Sequence, residues 1–194
     1  PVDKPKRPEF SSGPCAKRNG WDFRKVVQRA YLGRSHRAKS PMLQIKQVSD
    51  QTKEILEIPN SYKVGLVPGS NTGAFEMAMW SMLGARDVDV FSWESFGKGW
   101  LNDIVNDLKL ENVSRYEADY GLLPDLSLAN GKNDIVFTSN GTTSGVRITD
   151  GDWIPDDRQG LTLCDATSAV FAMEMPWPKL DATTFSWQKV LGSE

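Results

Sequence analysis

Histidine and cysteine are scarce in this sequence of 194 residues, which contains one histidine and two cysteines. A single histidine excludes a zinc site built from several histidines, and it leaves one candidate base for a histidine-based catalytic triad. Cys15 and Cys164 form neither a disulfide framework nor the paired spacing of metal-binding cysteines. We therefore predict no metal site.

Long apolar runs are also absent, since no stretch approaches the roughly 20 residues of a membrane-spanning helix. The net charge is −2, but residues 1–40 carry 11 Lys and Arg against 3 Asp and Glu, and the remainder carries 12 against 22. Apolar residues interrupt the basic segment, which favours solvated charge or binding of small anions over nucleic-acid binding. We predict a cytoplasmic protein that binds neither a membrane nor nucleic acid.

The apolar residues that are present alternate between helical and strand patterns. Ser40 and Pro41 resemble an N-cap followed by proline at the first helical position. The predicted helices cover residues 22–30, 40–57, 74–83 and 97–108, and the predicted strands cover residues 62–67, 88–91, 113–117, 134–138, 160–164 and 183–186. Buried strands that alternate with helices predict an α/β fold, with a mostly parallel sheet and helices on both faces.

Polar or aromatic residues follow several of the predicted strands, at the edge where ligands of parallel sheets bind. The stretch PGSNTG (68–73) opens a helix, where backbone N–H groups can hold a phosphate; the alternative is a turn capped by Asn71 or Thr72. Phe96, in WESFGKGW, is placed to cover a flat ligand or simply to pack. SNGTTSG (139–145) offers hydroxyl groups, or is an ordinary polar turn.

Asp165 and Lys189 each follow an apolar run, LTLC and TTFSW respectively. A buried carboxylate needs a cation or hydrogen-bond donors, so Asp165 is either a helix N-cap or the partner of a ligand cation. Lys189 is either a surface lysine or a nucleophilic amine that condenses with a carbonyl. An anion-binding turn, an aromatic ring, a carboxylate and a lysine are together the groups that pyridoxal phosphate requires.

Seven segments resemble the phosphoserine aminotransferases, a family of fold type I pyridoxal-phosphate enzymes. They are FSSGPCAKR (10–18), GRSHRAK (33–39), VPGSNTGAFEMAMWSMLGAR (67–86), WESFGKGW (93–100), NGTTSG (140–145), CDATSA (164–169) and SWQKVLG (186–192). These segments span nearly the whole chain in the family's order. The combination of SHR, NGTT, DATS and WQK is specific to this family within the fold type I enzymes.

The resemblance implies a role for each matched residue. Lys189 corresponds to the lysine that forms the Schiff base with the cofactor and shuttles a proton, and Asp165 corresponds to the partner of the pyridinium nitrogen. Asn71 and Thr72, helped by Gln188, correspond to the residues that hold the cofactor phosphate.

Three further positions are implied by the same resemblance. Thr142 corresponds to the threonine at the ring hydroxyl. Phe96 replaces the tryptophan that stacks on the ring in the better-known branch. His36 and Arg37 correspond to residues that bind the substrate anion across a dimer interface; the alternative for Arg37 is an interface ion pair.

The resemblance implies that a homodimer transfers an amino group between L-glutamate and 3-phosphohydroxypyruvate, giving O-phospho-L-serine and 2-oxoglutarate. Serine biosynthesis, and in some members pyridoxine biosynthesis, uses this activity. Residues 1–40 would form an N-terminal arm with the substrate-anion loop, and residues 41–194 part of the cofactor-binding large domain. Family chains continue past the lysine into a small domain and an arginine that binds the substrate α-carboxylate, which this sequence lacks.

Two other interpretations fit the residues. The protein could be another fold type I enzyme, such as a serine–glyoxylate aminotransferase or a desulfurase-like protein, although the SHR pair suits a phosphorylated substrate. It could also be a non-catalytic α/β binding module in which Asp165 and Lys189 are structural.

Overall fold

The computed structural model describes residues 19–35 and 37–192, which divide into two compact units. One unit contains the described residues up to Val67 together with Gly192, and the other is Pro68–Leu191.

The first unit contains two helices, α1 (Phe23–Arg29) and α2 (Lys39–Ile55). Asp22 caps α1 by accepting a hydrogen bond from the Arg24 backbone N–H at 2.9 Å. The predicted Ser40 cap of α2 is wrong, because Ala38 is the N-cap and makes no side-chain bond. Pro41 lies at the third helical position, which it tolerates because the first N–H groups of a helix need no intrahelical acceptor.

The predicted strand at residues 62–67 is also wrong, since this segment has no regular secondary structure and pairs with no strand of the described sheet. Leu66 and Val67 remain 43% and 42% exposed. An apolar run forms a strand only where a neighbouring strand accepts its backbone hydrogen bonds. The turn PGSNTG therefore follows an irregular segment.

The second unit is built on one parallel sheet of five strands in the order β2-β1-β3-β4-β5. The strands are β1 (Val88–Ser92), β2 (Val113–Glu117), β3 (Asp134–Thr138), β4 (Thr162–Asp165) and β5 (Ala182–Thr184). The helices are α3 (Asn71–Met82) and α4 (Ser95–Asn102), and single turns of 3₁₀ helix lie at Leu126–Leu128 and Trp177–Lys179. This architecture confirms the predicted α/β class.

Helices α3 and α4 cover one face of the sheet, where Val88, Val90, Val136 and Leu163 form its core with apolar residues of both helices. Irregular chain covers the opposite face. There the Trp153 ring lies edge-on to Phe91 and Phe137, with centroids 5.2 Å and 5.1 Å away. Sequestering both faces explains why the central strands are continuous runs of buried residues.

Several helices and strands begin or end at residues other than those predicted. The helix predicted at 97–108 begins earlier, because Glu94 caps α4, and its last turn is a π-helix at Asp103–Asp107. Strand β4 begins two residues later than predicted and includes Asp165 as its last residue. Strand β5 ends at Thr184, two residues before the predicted end.

Candidate active site

The carboxyl edge of the sheet carries a row of polar residues on the face that α3 and α4 cover. Ser92, Thr138, Asp165 and Thr184 are the last residues of β1, β3, β4 and β5. Asp165 is aligned with Thr138 on one side and with Thr184 on the other. The hydroxyl groups of Ser92, Thr138 and Thr184 are buried and have no hydrogen-bond partner among the described residues. Buried polar atoms without a partner are uncommon in stable folds and mark this edge as a candidate site.

Asp165 is 6% exposed and lies at the centre of that row. Its Oδ1 accepts hydrogen bonds from Asn71 Nδ2 at 2.9 Å, the Thr167 backbone N–H at 3.0 Å and Thr167 Oγ1 at 2.6 Å. Its Oδ2 accepts one from Trp100 Nε1 at 3.1 Å. Burial raises the pKa of the Asp165 carboxyl, and these hydrogen bonds act in the opposite direction.

The helix-cap interpretation of Asp165 is therefore only half right. Its carboxylate does accept the Thr167 N–H, but the chain that follows forms successive turns and no helix. The other two donors come from α3 and α4, which are far away in sequence. Asp165 thus joins three separate elements at one point.

Asn71 and Thr72 lie at the first two positions of α3, after a Ser70 N-cap whose hydroxyl accepts from the Gly73 N–H at 3.4 Å. The expectation that Asn71 or Thr72 caps the turn is therefore wrong. The Asn71 amide donates to Asp165, and its Oδ1 is buried with no partner among the described residues. Thr72 is exposed. The N–H groups of the first helical turn have no acceptor within the helix and are suited to an anion.

Helix α4 places two aromatic residues near this edge. Phe96 is its second residue and is 45% exposed, so it is not part of the buried core. Trp100 lies four residues further on, on the same side of the helix, and is 5% exposed. Its ring contacts Phe75 of α3, with centroids 4.8 Å apart. One helix therefore presents an exposed ring and a buried indole that reaches Asp165.

The loop after β3 carries Thr142, whose hydroxyl group donates to Ser168 Oγ at 2.8 Å. Asn140 Nδ2 also donates to Ser168 Oγ at 2.8 Å. Thr143 Oγ1 donates at 3.0 Å to Glu94 Oε2, and Glu94 Oε1 accepts from the Gly97 N–H at 2.7 Å. The Glu94 side chain is fully buried, so it ties this loop to the start of α4.

Lys189 is half-buried and lies five residues after the end of β5, in the same unit as Asp165. Gln188 is exposed. Arg37 is exposed in the first unit, where its backbone N–H donates to Ser35 Oγ at 3.1 Å. His36 lies outside the described residues. The structure thus brings Asn71 and Asp165 into direct contact, and all the assigned roles remain predictions.

Sequence reasoning missed Trp100, Glu94 and Ser168, all of which organise this edge. Trp100 had a detectable signal, since it follows Phe96 by one helical turn within the quoted stretch WESFGKGW. Glu94 precedes a helix by one residue, which is a recognisable capping position. Ser168 had no such signal, because its partners lie 26 and 28 residues away.

Within the described ranges, no helix is long and apolar enough to cross a membrane. The same part of the chain contains no group of three or more His, Cys, Asp or Glu that could hold a metal ion.

Several solved aminotransferases have a similar fold. A phosphoserine aminotransferase from Cytophaga hutchinsonii superposes with a TM-score of 0.73 at 25% identity, over 88% of this chain and 47% of that one. An alanine–glyoxylate aminotransferase from Nostoc sp. gives a TM-score of 0.73 at 16% identity, over 100% and 54%. A phosphoserine aminotransferase with bound pyridoxal phosphate from Trichomonas vaginalis gives 0.63 at 17%, over 81% and 45%. The fold is that of the fold type I aminotransferases.

Sequence comparison indicates which kind of aminotransferase this chain resembles. The chain is 57% identical to a phosphoserine aminotransferase of Methanosarcina mazei and 55% identical to that of Methanosarcina barkeri, in both cases over all 194 residues. No protein-family model matches it. The chain is therefore similar over its whole length to phosphoserine aminotransferases, and it spans about half the length of the curated relatives it matches, 52% in both cases.

Proposed function

We propose that the protein is a pyridoxal-phosphate-dependent transaminase that transfers an amino group from L-glutamate to 3-phosphohydroxypyruvate, in the serine pathway. The observation that carries this proposal is Asp165. Its carboxylate lies at the carboxyl edge of the sheet, and the residue is 6% exposed. Among the described residues, Oδ1 accepts three hydrogen bonds and Oδ2 accepts one. Identity of 57% and 55% to two phosphoserine aminotransferases, over the whole of this chain and about half of each relative, supports the choice of reaction.

The residues at this edge fit pyridoxal phosphate. A pyridinium N–H needs a buried carboxylate acceptor, which Asp165 supplies, and its positive charge would offset the cost of burying that carboxylate. The phosphate needs backbone N–H donors, which the first turn of α3 supplies. Asn71 and Thr72 lie in that turn, and we assign them to the phosphate together with Gln188. Asn71 Oδ1 and the strand-end hydroxyl groups are buried and have no hydrogen-bond partner among the described residues. These atoms are therefore available to bind a polar ligand at this edge.

Bound pyridoxal phosphate supplies an aldehyde that takes up amino groups and a ring that withdraws electrons. Asp165 keeps the ring nitrogen protonated by remaining ionised. Lys189 Nζ holds the cofactor covalently and, as a free amine, moves the proton at the substrate Cα. Phe96 would cover the ring face and exclude water from it. Thr142, whose hydroxyl group donates to Ser168, would contact the ring hydroxyl.

The substrate assignments rest on the first unit. His36 and Arg37 would bind the phosphate of the oxo acid, since an arginine fork suits phosphate bidentately. The pair would act across a homodimer interface, in a cytoplasmic enzyme that some organisms also use for pyridoxine synthesis. The remainder of the large domain and the small domain would supply the α-carboxylate arginine.

Borohydride reduction of the complete gene product loaded with pyridoxal phosphate, followed by peptide mapping, tests the cofactor and its lysine together. We expect one modified peptide, containing Lys189, and turnover with glutamate and 3-phosphohydroxypyruvate. Lys189→Ala should lose both the modification and turnover, whereas Lys132→Ala, an exposed lysine at the other end of the sheet, should retain both. Modification at another lysine would contradict the site. Preference for glyoxylate over the phosphorylated acceptor would contradict the substrate.

A further inference from the structure

The four hydrogen bonds to the Asp165 carboxylate are distributed unevenly between its two oxygens. Oδ1 accepts three of them, from Asn71 Nδ2 and from the N–H and hydroxyl of Thr167. Among the described residues Oδ2 accepts one, from Trp100 Nε1. A carboxylate oxygen offers about two lone pairs, so Oδ1 is saturated and Oδ2 can accept one more donor.

The donor to Oδ2 is held rigidly. Trp100 is buried in the core between α4 and the sheet, and its ring contacts Phe75 at a tilt of 54°. An indole has a single N–H, whose direction follows from the ring orientation. Because packing fixes the ring, the position of its hydrogen bond fixes the plane of the Asp165 carboxylate and the direction of the remaining lone pair on Oδ2.

We propose that Trp100 is a positioning residue that orients Asp165 so that Oδ2 accepts the ring N–H of the cofactor. This inference rests on the proposed function, and it specifies the acceptor atom, Asp165 Oδ2, and the residue that orients it, Trp100. The same helix carries Phe96, so α4 would set both the ring face and the acceptor at the ring nitrogen. The Trp100 hydrogen bond also favours the ionised carboxylate, which burial opposes.

Two variants separate the hydrogen bond from the packing. Trp100→Phe keeps an aromatic ring and removes the donor, whereas Trp100→His keeps a ring N–H and removes much of the packing. Trp93→Phe is the matched control, since Trp93 is fully buried and donates its indole N–H at 3.0 Å to the Val146 carbonyl instead. Melting temperatures of all three identify any general loss of folding.

The probe is pyridoxine 5′-phosphate, which lacks the aldehyde and therefore reports ring and phosphate contacts without the bond to lysine. In the complete protein, Trp100→Phe should raise its Kd about tenfold or more, the effect of losing a hydrogen bond to a charged group. Carbon-13 NMR of labelled aspartate in the cofactor-free protein should show the pKa of Asp165 rising. Trp100→His should change both quantities less, and Trp93→Phe should leave the Asp165 pKa unchanged.

Unchanged affinity and an unchanged Asp165 pKa in Trp100→Phe would overturn the role of Trp100 and leave the proposed function standing. A larger loss of affinity in Trp100→His than in Trp100→Phe would overturn it as well, because packing would then be the cause. Failure of the unmodified protein to bind the probe would overturn this inference and the proposed function together.

Discussion

Asp89 in β1 and Asp165 in β4 are both buried aspartates of the same sheet, but they lie toward opposite ends of its strands. Both oxygens of Asp89 are occupied by donors from one short loop, the Asn130 N–H at 2.8 Å and Asn133 Nδ2 at 2.9 Å. Asp165 receives its donors from two helices and a turn, and Oδ2 retains acceptor capacity.

The comparison shows that burial alone does not distinguish a structural acid from a functional one. Asp89 closes the loop that leads into β3, and both of its donors come from that loop. Asp165 gathers elements that are 94 and 65 residues away, and burial still raises its pKa. The origin of the donors separates the two roles.

The largest expected difference is between Asp165→Asn and Asp89→Asn in the complete protein. Asp165→Asn cannot pair with a pyridinium, so turnover should fall on the order of 10³-fold, the scale of losing one electrostatic group at an active site. Asp89→Asn should keep turnover and lose about 1–3 kcal/mol of unfolding free energy, because the amide oxygen can accept from only one of the two donors and the amide N–H₂ then faces the other. Steady-state kinetics and urea unfolding measure the two effects. Turnover loss that merely follows instability in Asp165→Asn would make the two residues alike.

Two glycines extend the comparison to the backbone. A Cβ at Gly160, at the amino end of β4, would collide with the Asn133 carbonyl, and Gly160→Ala should cost about 3 kcal/mol because backbone cannot yield easily. A Cβ at Gly141 would lie 2.7 Å from Glu94 Cγ and Ser144 Oγ and 2.8 Å from Trp93 Nε1, all of which are side-chain atoms. Gly141→Ala should therefore cost less stability, and it should weaken cofactor binding. Equal cofactor affinity in Gly160→Ala and Gly141→Ala would contradict the assignment of Gly160 to stability alone and of Gly141 to the cofactor site.

The Glu94 side chain should contribute about 2 kcal/mol to the free energy of unfolding, which is less than the loss expected from the backbone collision in Gly160→Ala. Glu94→Ala removes the cap of α4 and leaves Thr143 without its acceptor. Glu94→Gln keeps one carbonyl oxygen for the Gly97 N–H and should recover most of that stability in thermal unfolding. If Gln were no better than Ala, the capping bond would not be the source of the effect.

The smallest effect is the pH dependence of stability. The pKa of Asp165 is higher in the folded chain than its value of 3.8 when unperturbed, so the folded state binds this proton more tightly. Its contribution to stability is complete below that value and is lost as pH rises through the folded pKa. Denaturant unfolding across this window should show a negative slope that Asp165→Asn reduces. An unchanged slope in the variant would assign the effect to other groups.

Sequence reasoning predicted the elements that depend on short-range patterns. Strands β2 and β3 lie at the predicted residues, because apolar runs act locally. The strand at 62–67 failed for the opposite reason, since a strand depends on a partner that the segment itself does not contain. Asp165 was identified from its position after an apolar run.

The hydrogen-bond partners of Asp165 could not be predicted from the sequence. That Asn71 faces the carboxylate, and that Trp100 reaches Oδ2, depends on how α3 and α4 pack on the sheet. Thr142 was singled out from the polar stretch after β3, but its partner Ser168 is brought to it by the alignment of β3 and β4. Residues contributed by different elements meet only in the folded chain.

A crystal structure of the complete protein with pyridoxal phosphate bound tests the central claim most directly. We predict the ring nitrogen within 2.6–3.2 Å of Asp165 Oδ2, the hydrogen-bond range for such a contact. Lys189 should be bonded to the cofactor, and Trp100 Nε1 should still donate to Oδ2. A ring nitrogen that faces solvent or another side chain, with Asp165 bonded only to protein groups as Asp89 is, would contradict the account.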